Sequence, residues 1–369
     1  MYINSDFSRL EIDLKGCLDN YKYFRSKLED STKLLVLVKA NAYGHGAVEF
    51  ASLMESAGAD YLAVAYPVEG VELRNAGIKS PIMVLTAGTD FFEEIIDNSL
   101  EPGIPNLSAL KALAQVLNKK GVSDFPVHIK LDTGMHRLGF LPEEVPALVE
   151  ELKKQSALTP RSVFSHFAGS DSEAFNYFTE EQTARFVKAA DTLQAAFPHH
   201  ILRHICNSAA IERFADRQMD MVRLGIGLYG VSPIKEDAAL KTVATLKTII
   251  LHTCDVPADE TVGYSRKGTL SRPSRIAALP IGYADGLNRK LGNGNGYCLV
   301  NGKKAKYVGN ICMDVCMIDV TDIECKEGDS VEIFGSNLPI YRLAEWLDTI
   351  PYEVLTSVST RIKRVYYCD

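Results

Sequence analysis

The sequence predicts an α/β protein: an N-terminal (β/α)8 TIM barrel followed by a C-terminal mostly-β domain. Two observations carry this. Short apolar runs alternate with helix-period runs eight times over about 200 residues, and strict βα alternation to that count favours a closed parallel barrel over an open sheet. From about residue 236 the texture changes to strand-like runs joined by turns. The chain's 369 residues also exceed what one core usually takes. The expected division is 1–235, a cofactor-binding barrel, and 236–369, a β domain.

The first barrel strand is the five-residue apolar run Leu34–Val38, which leads into Lys39 and the turn Tyr43-Gly44-His45-Gly46. A run that short and apolar on both faces is a buried parallel strand. The helical pattern GAVEFASLMESAG follows. The next strands are YLAVA (61–65), PIMVL (81–85), LEPGI (100–104), PVHIKLD (126–132), SVFSHFA (162–168) and ILRHICN (201–207), with DMVRLGIGLYG (220–230) supplying the last. Helical stretches separate them, the clearest being NLSALKALAQVLNKKG with Asn106 as N-cap. Beyond 236, Asn301-Gly302 marks a hairpin turn, and LAEWLDTI and PYEVLTSVS read as short helices. The opening SRLEIDL either pairs with the β domain or caps the barrel.

A net charge of -7 argues against nucleic acid or acidic membrane surfaces as partners. No apolar stretch reaches the roughly 18 residues of a membrane span, and the start lacks a signal-peptide pattern. The eight cysteines form no CxxC pair and no histidine accompanies them at metal spacing. Reduced thiols and a cytoplasmic location are expected.

Function in such barrels sits at the carboxyl ends of the strands. There the first strand ends at Lys39, the fifth brings Lys130, Asp132 and Arg137, and the sixth ends at His166. The seventh ends at Asn207 and Ser208, the start of a helix whose N–H groups would attract an anion. The eighth carries Arg223 and then Gly225, Ile226 and Gly227, where glycines let backbone approach a phosphate. Lys39 either snorkels from a strand end or serves as an amine nucleophile, its pKa lowered by desolvation. His166 is either a hydrogen-bonded core residue or a functional one. A lysine amine beside a phosphate cradle suggests pyridoxal phosphate, an aldehyde bearing a phosphate.

The motifs VKANAYGHG, LDTGMHRLGF, HFAGSD, NSAA, VRLGIGLYG, GYADG, GNICMD and IPYEVLT, in this order through both domains, resemble bacterial alanine racemase, a fold type III pyridoxal-phosphate enzyme. The resemblance implies that Lys39 forms the Schiff base with the cofactor. Tyr43, Ser208, Gly225, Ile226 and Tyr352 would bind its phosphate, with Asn207 nearby. His166 would lie against the pyridine ring and Arg223 would face its nitrogen. Arg137 would bond the phenolic oxygen and place the substrate carboxylate. Lys39 would be the base on one side of the substrate, and Tyr264, from the second subunit of a homodimer, the base on the other. Met313 would contact substrate, and Tyr283 and Asp314 would line the mouth. Lys130 matches a position that some members carbamylate to orient Arg137.

The resemblance further implies interconversion of L-alanine and D-alanine, supplying D-alanine for peptidoglycan. The chain departs from the pattern at His136, where a small residue is common, and at Ser265-Arg266-Lys267, where a glycine-containing run is expected. Both bear on substrate preference, so a serine or broad-specificity racemase is the alternative within the class. A non-catalytic pyridoxal-phosphate-binding barrel would lack the β domain with Tyr264. A decarboxylase of the same fold type would want a carboxylate where Arg223 stands.

Overall fold

The computed structural model describes residues 7–234 and 239–368. An opening strand β1 (Arg9–Asp13) precedes β2 (Lys33–Leu37), β3 (Tyr61–Val64), β4 (Ile82–Val84), β5 (Glu101–Ile104), β6 (Phe125–Lys130), β7 (Leu158–Phe164), β8 (Leu202–His204) and β9 (Met221–Leu224). Strands β2 to β9 are the eight that the hydrophobic pattern predicts. They form a parallel ring in the order β8-β7-β6-β5-β4-β3-β2-β9. At the seam between β8 and β9 the Arg223 N–H donates to the Cys206 carbonyl at 3.0 Å, so the barrel is nearly closed.

The apolar run in β2 exists because both of its faces are covered. Leu35 points inward and packs with Tyr61, Ala63, Met83, Phe164 and Met221, while Leu34 and Val36 join the larger core outside the ring. Alternate residues of a strand face opposite sides, so a parallel strand walled by helices must be apolar at every position. Burying each such leucine contributes about 2 kcal/mol. The helix Leu107–Lys120 starts as expected, with Asn106 Oδ1 accepting from the Ala109 N–H at 2.8 Å, and it stops at Gly121 in the left-handed region.

The C-terminal region is mostly sheet. One six-stranded sheet runs in the order 303–306, 297–300, 330–334, 244–249, β1 and 363–367. The partner of the opening strand is thereby settled: β1 lies antiparallel to Ala244–Ile249 and parallel to Lys363–Tyr367. Leu10 and Ile12, its inward residues, are fully buried. The first strand of the chain thus belongs to the second sheet, although it falls within the expected barrel segment 1–235. The expected boundary at 235/236 lies outside the described residues. Asn301 and Gly302 form the predicted hairpin turn, both at positive φ. Among the described residues no helix is long and apolar enough to cross a membrane.

Candidate functional site

The turn after β2 organises the mouth of the barrel. Ala40, Asn41, Ala42 and Tyr43 all adopt left-handed backbone, with φ between 51° and 55°, and Gly44 follows at 87°. Four consecutive non-glycine residues there carry strain of roughly 1 kcal/mol or more each, so neighbours must hold the turn. They do so from three directions. Glu69 accepts from the Ala40 N–H at 2.6 Å. The His45 ring bonds the Ala42 and Tyr43 carbonyls through Nδ1 at 3.0 Å each. From the far sheet, Arg364 donates twice to the Gly44 carbonyl, at 3.0 and 2.9 Å, and the Tyr366 hydroxyl donates to the His45 carbonyl at 2.9 Å. Lys39 is the residue this apparatus presents. Glu69, Arg364 and Tyr366 lie far from it in sequence, and no local motif marks them.

Lys39 shares the mouth with a cluster of cations. Burial lowers its pKa, and Arg137 and Arg223 lower it further against the opposing pull of Glu69. Lys130 is held well below the usual lysine value by burial, Arg223 and Arg137, and its Nζ lies 4.6 Å from the centre of the Phe164 ring. His166 is likewise driven toward its neutral form by burial and by Arg223, Lys130, Arg137 and Lys39. Arg223 is 3% exposed, and burial brings its pKa to about 10. Its Nη2 donates to His166 Nδ1 at 3.2 Å and to the Ile205 carbonyl at 3.0 Å. Arg137 itself is exposed on the rim. His136 sits at φ +54° with Nδ1 3.5 Å from Asp132 Oδ2, and Asp132 Oδ1 accepts the Gly134 and His136 N–H groups. Asp132 therefore shapes the loop that carries Arg137.

Beside this cluster the loop after β9 packs against the turn after β2. The Ser208 hydroxyl accepts from the Gly225 N–H at 2.9 Å, drawing the loop after β9 onto the start of the helix Ser208–Arg213. A Cβ on Gly225 would stand 2.9 Å from the Tyr43 hydroxyl, so glycine lets the loop lie this close to Tyr43. Ile226, fully buried, starts the following turn. The Tyr43 and Tyr352 rings are 6.0 Å apart. Burial keeps both hydroxyls protonated, that of Tyr352 with a pKa raised to about 12. Asn207 Oδ1 already accepts from the Ala210 N–H at 3.0 Å and from the Ser170 hydroxyl at 2.9 Å, so Asn207 acts as the helix cap.

Tyr264, Tyr283, Met313 and Asp314 all belong to the C-terminal sheet region. Asn310 Nδ2 bonds the Tyr264 carbonyl at 3.1 Å, the Tyr283 N–H bonds the Cys312 carbonyl and the Ala284 N–H that of Met313. Asp314 pairs with Arg361 at 2.7 Å, which also pairs with Asp285 at 2.7 Å. Among the described residues no hydrogen bond, ion pair or ring contact joins these four to the Lys39 cluster. Tyr264 is 71% exposed and Met313 53%. Tyr264 heads a tight turn in which Ser265 and Arg266 take positive φ, at 59° and 52°. The glycine expected there by resemblance would have relieved that conformation.

Fold and cluster together define a class: a parallel barrel with an attached sheet region, collecting an amine, fixed cations and a glycine-bearing loop at the end where barrel enzymes hold their ligands. The model for the alanine racemase N-terminal domain matches residues 12–233, and that for the C-terminal domain matches 243–366. An alanine racemase of Caldanaerobacter subterraneus subsp. tengcongensis is 38% identical, covering 97% of this chain and 94% of its own. A solved alanine racemase from Clostridium difficile superposes with a TM-score of 0.93 at 36% identity, covering 100% of this chain and 97% of its own. One from Bartonella henselae, solved with covalently bound pyridoxal phosphate, superposes at 0.89 with 30% identity, covering 98% of this chain and 99% of its own. The chain belongs to the alanine racemase family.

Proposed function

We propose that this protein interconverts L-alanine and D-alanine using pyridoxal phosphate, as a homodimer in which each active site draws on both copies. The observation that carries this reading is the presentation of Lys39, its amine held toward neutrality, between a cation cluster and the glycine-bearing loop after β9. Lys39, Lys130, Arg137 and Arg223 are opposed by few carboxylates, Glu69 and Asp132 among them. That excess suits a ligand bearing both a phosphate and a carboxylate. The protonated Tyr43 and Tyr352 hydroxyls and the Gly225–Ile226 backbone border the space a phosphate would fill, with Ser208 and Asn207 shaping its wall.

Bound there, pyridoxal phosphate supplies an aldehyde for an amine and a conjugated ring that stabilises negative charge at the substrate α-carbon. Lys39 would take the α-proton on its side as a neutral amine, or return it as the ammonium so formed. Tyr264 of a second copy serves the other side, with Met313 beside it and Tyr283 and Asp314 at the mouth; the exposure of Tyr264 and Met313 in one chain supports this. Arg137 offers its guanidinium fork to the substrate carboxylate. Arg223 keeps a positive charge that disfavours protonation of any ring nitrogen facing it, which restricts competing decarboxylation. Lys130, whose charged form burial disfavours, is suited to the carbamylation that would orient Arg137.

In this reading residues 1–235 bind the cofactor and 236–369 bring the second base. The product serves peptidoglycan synthesis and the protein works in the cytoplasm. A chiral assay over a panel of amino acids, with α-deuterium exchange, tests it. Alanine of either hand exchanges and racemises, with kcat/KM above that for serine, and Lys39→Ala loses both. Optically pure L-alanine left unchanged over hours by the holoenzyme would overturn the reading; a higher kcat/KM for serine would reassign the substrate.

A further inference from the structure

A line of buried polar groups runs down the inside of the barrel, away from the mouth. Below Arg223, its Nη1 lies 3.0 Å from His204 Nδ1. His204 Nε2 lies 2.9 Å from the Ser162 hydroxyl, which lies 2.6 Å from His128 Nδ1. His128 Nε2 ends the line at Glu101 Oε2, 2.9 Å away. His128, Ser162 and His204 are all 0% exposed and Glu101 is 9% exposed. Four polar residues in the interior of an otherwise apolar ring are costly unless each contact is made.

The proton positions follow from the two ends. A guanidinium only donates, so His204 Nδ1 is an acceptor and Nε2 carries the hydrogen, which it gives to Ser162. The Ser162 hydroxyl then has one proton to give, and the open acceptor is His128 Nδ1. His128 Nε2 therefore bears the hydrogen that goes to the Glu101 carboxylate, which only accepts. Every contact holds one proton, and all of them point from Arg223 to Glu101. On the other side Arg223 donates to His166 Nδ1, so His166 turns a hydrogen-bearing Nε2 elsewhere.

We propose that Glu101 is a positioning residue for racemisation, which acts through His128, Ser162 and His204 to set the tautomers that seat Arg223 as donor to His166. The proposal rests on the racemase reading for its kinetic part only. Without an acceptor at Glu101, His128 moves its hydrogen to Nδ1, Ser162 must donate to His204, and His204 Nδ1 then meets Arg223 as donor against donor. The guanidinium is displaced from its seat. The charged and titratable groups facing this line are Lys39, Lys130, Arg137 and Cys206 at the mouth, and Arg161 and Tyr61 at the floor.

The test compares Glu101→Gln, which keeps an acceptor, with Glu101→Leu, which does not, and with Ser162→Ala, which cuts the line while leaving the Glu101–His128 pair. Histidine tautomers are read in the holoenzyme by 15N NMR of selectively labelled histidine, each signal assigned by substitution. The wild type shows Nε2–H at both His128 and His204. Glu101→Gln keeps this pattern and keeps kcat/KM within about threefold. Glu101→Leu converts His128 to Nδ1–H, shifts the pH profile and the cofactor absorption band, and lowers kcat by about tenfold or more, with a smaller change in KM. Ser162→Ala cuts the line, so adding Glu101→Leu to it shifts the pH profile and band no further. Wild-type tautomers other than these, a Glu101→Leu holoenzyme with an unchanged pH profile and band, or a Glu101→Leu change that still shifts them in the Ser162→Ala background, overturn the proposal. A wild type inactive on alanine would sink the functional reading instead, and the tautomer measurements would still decide this one.

Discussion

His45 is a residue whose burial bears directly on stability. Its ring is fully enclosed, and burial depresses its pKa from the ordinary 6.5 to about 4. Above pH 6.5 neither the folded nor the unfolded chain protonates it. Between 6.5 and 4 the unfolded chain takes up a proton that the fold refuses, so stability falls as pH falls, by about 3 kcal/mol over that window. Urea melts at pH 7 and pH 4.5 measure the drop, and His45→Asn, which keeps a donor for the two carbonyls, shrinks it. Lys39 follows the same logic in catalysis. Its folded pKa is lowered, so the rate climbs with pH and levels off below the usual lysine range. A flat rate from about pH 6 to 10 would contradict its role as a base.

At the scale of elements, the left-handed turn and the loop after β9 are the pieces to perturb. Arg364 closes the turn against the final strand, donating to the Gly44 carbonyl and to those of Ser359, Ile362 and Val358. Arg364→Ala leaves buried carbonyls without donors and is expected to lower the unfolding free energy by about 3 kcal/mol, measured by denaturant titration. It also loosens Lys39, so the variant releases pyridoxal phosphate faster on dialysis. Gly225→Ala acts on the contact between that loop and Tyr43. Its added methyl meets the Tyr43 hydroxyl at 2.9 Å, so loop or ring must shift: reconstitution with the cofactor weakens by about tenfold or more, and the unfolding free energy falls by about 1–3 kcal/mol. Full-strength reconstitution would remove that loop from the phosphate site.

The whole molecule raises the question of how many chains make one site. Within one chain Tyr264 and Lys39 belong to separate clusters, and the two-base reading brings them together only between copies. Mixing inactive Lys39→Ala and Tyr264→Phe proteins under exchange conditions tests this. Shared sites restore about a quarter of wild-type activity, since half the dimers are mixed and each mixed dimer holds one intact pair. Sites confined to one chain restore none.

The order of strands and helices was legible because hydrophobic periodicity is local: a strand walled on both faces, such as β2, is apolar at every position wherever it ends up. The carboxyl-end residues were legible for the same reason, since β/α alternation alone tells which residues cap the strands. Thus Lys39, His166 and Arg223 could be named from spacing, and the family from its motifs. The remainder depended on residues that meet only when the chain closes. The strand Arg9–Asp13 found its partners at residues 244–249 and 363–367, across more than half the chain. The turn holding Lys39 is pinned by Glu69 and by Arg364 and Tyr366 near the other terminus, which share no local pattern with it. His128 and His204 looked like ordinary strand residues, because an inward polar group differs from an outward one only by the register of the closed ring. Sequence by itself determined the elements and the chemistry offered at their ends, because both follow from neighbours along the chain. Only the tertiary structure decided how that chemistry is held, because hydrogen bonds and buried charge depend on which distant groups the closed barrel brings within 3 Å of one another.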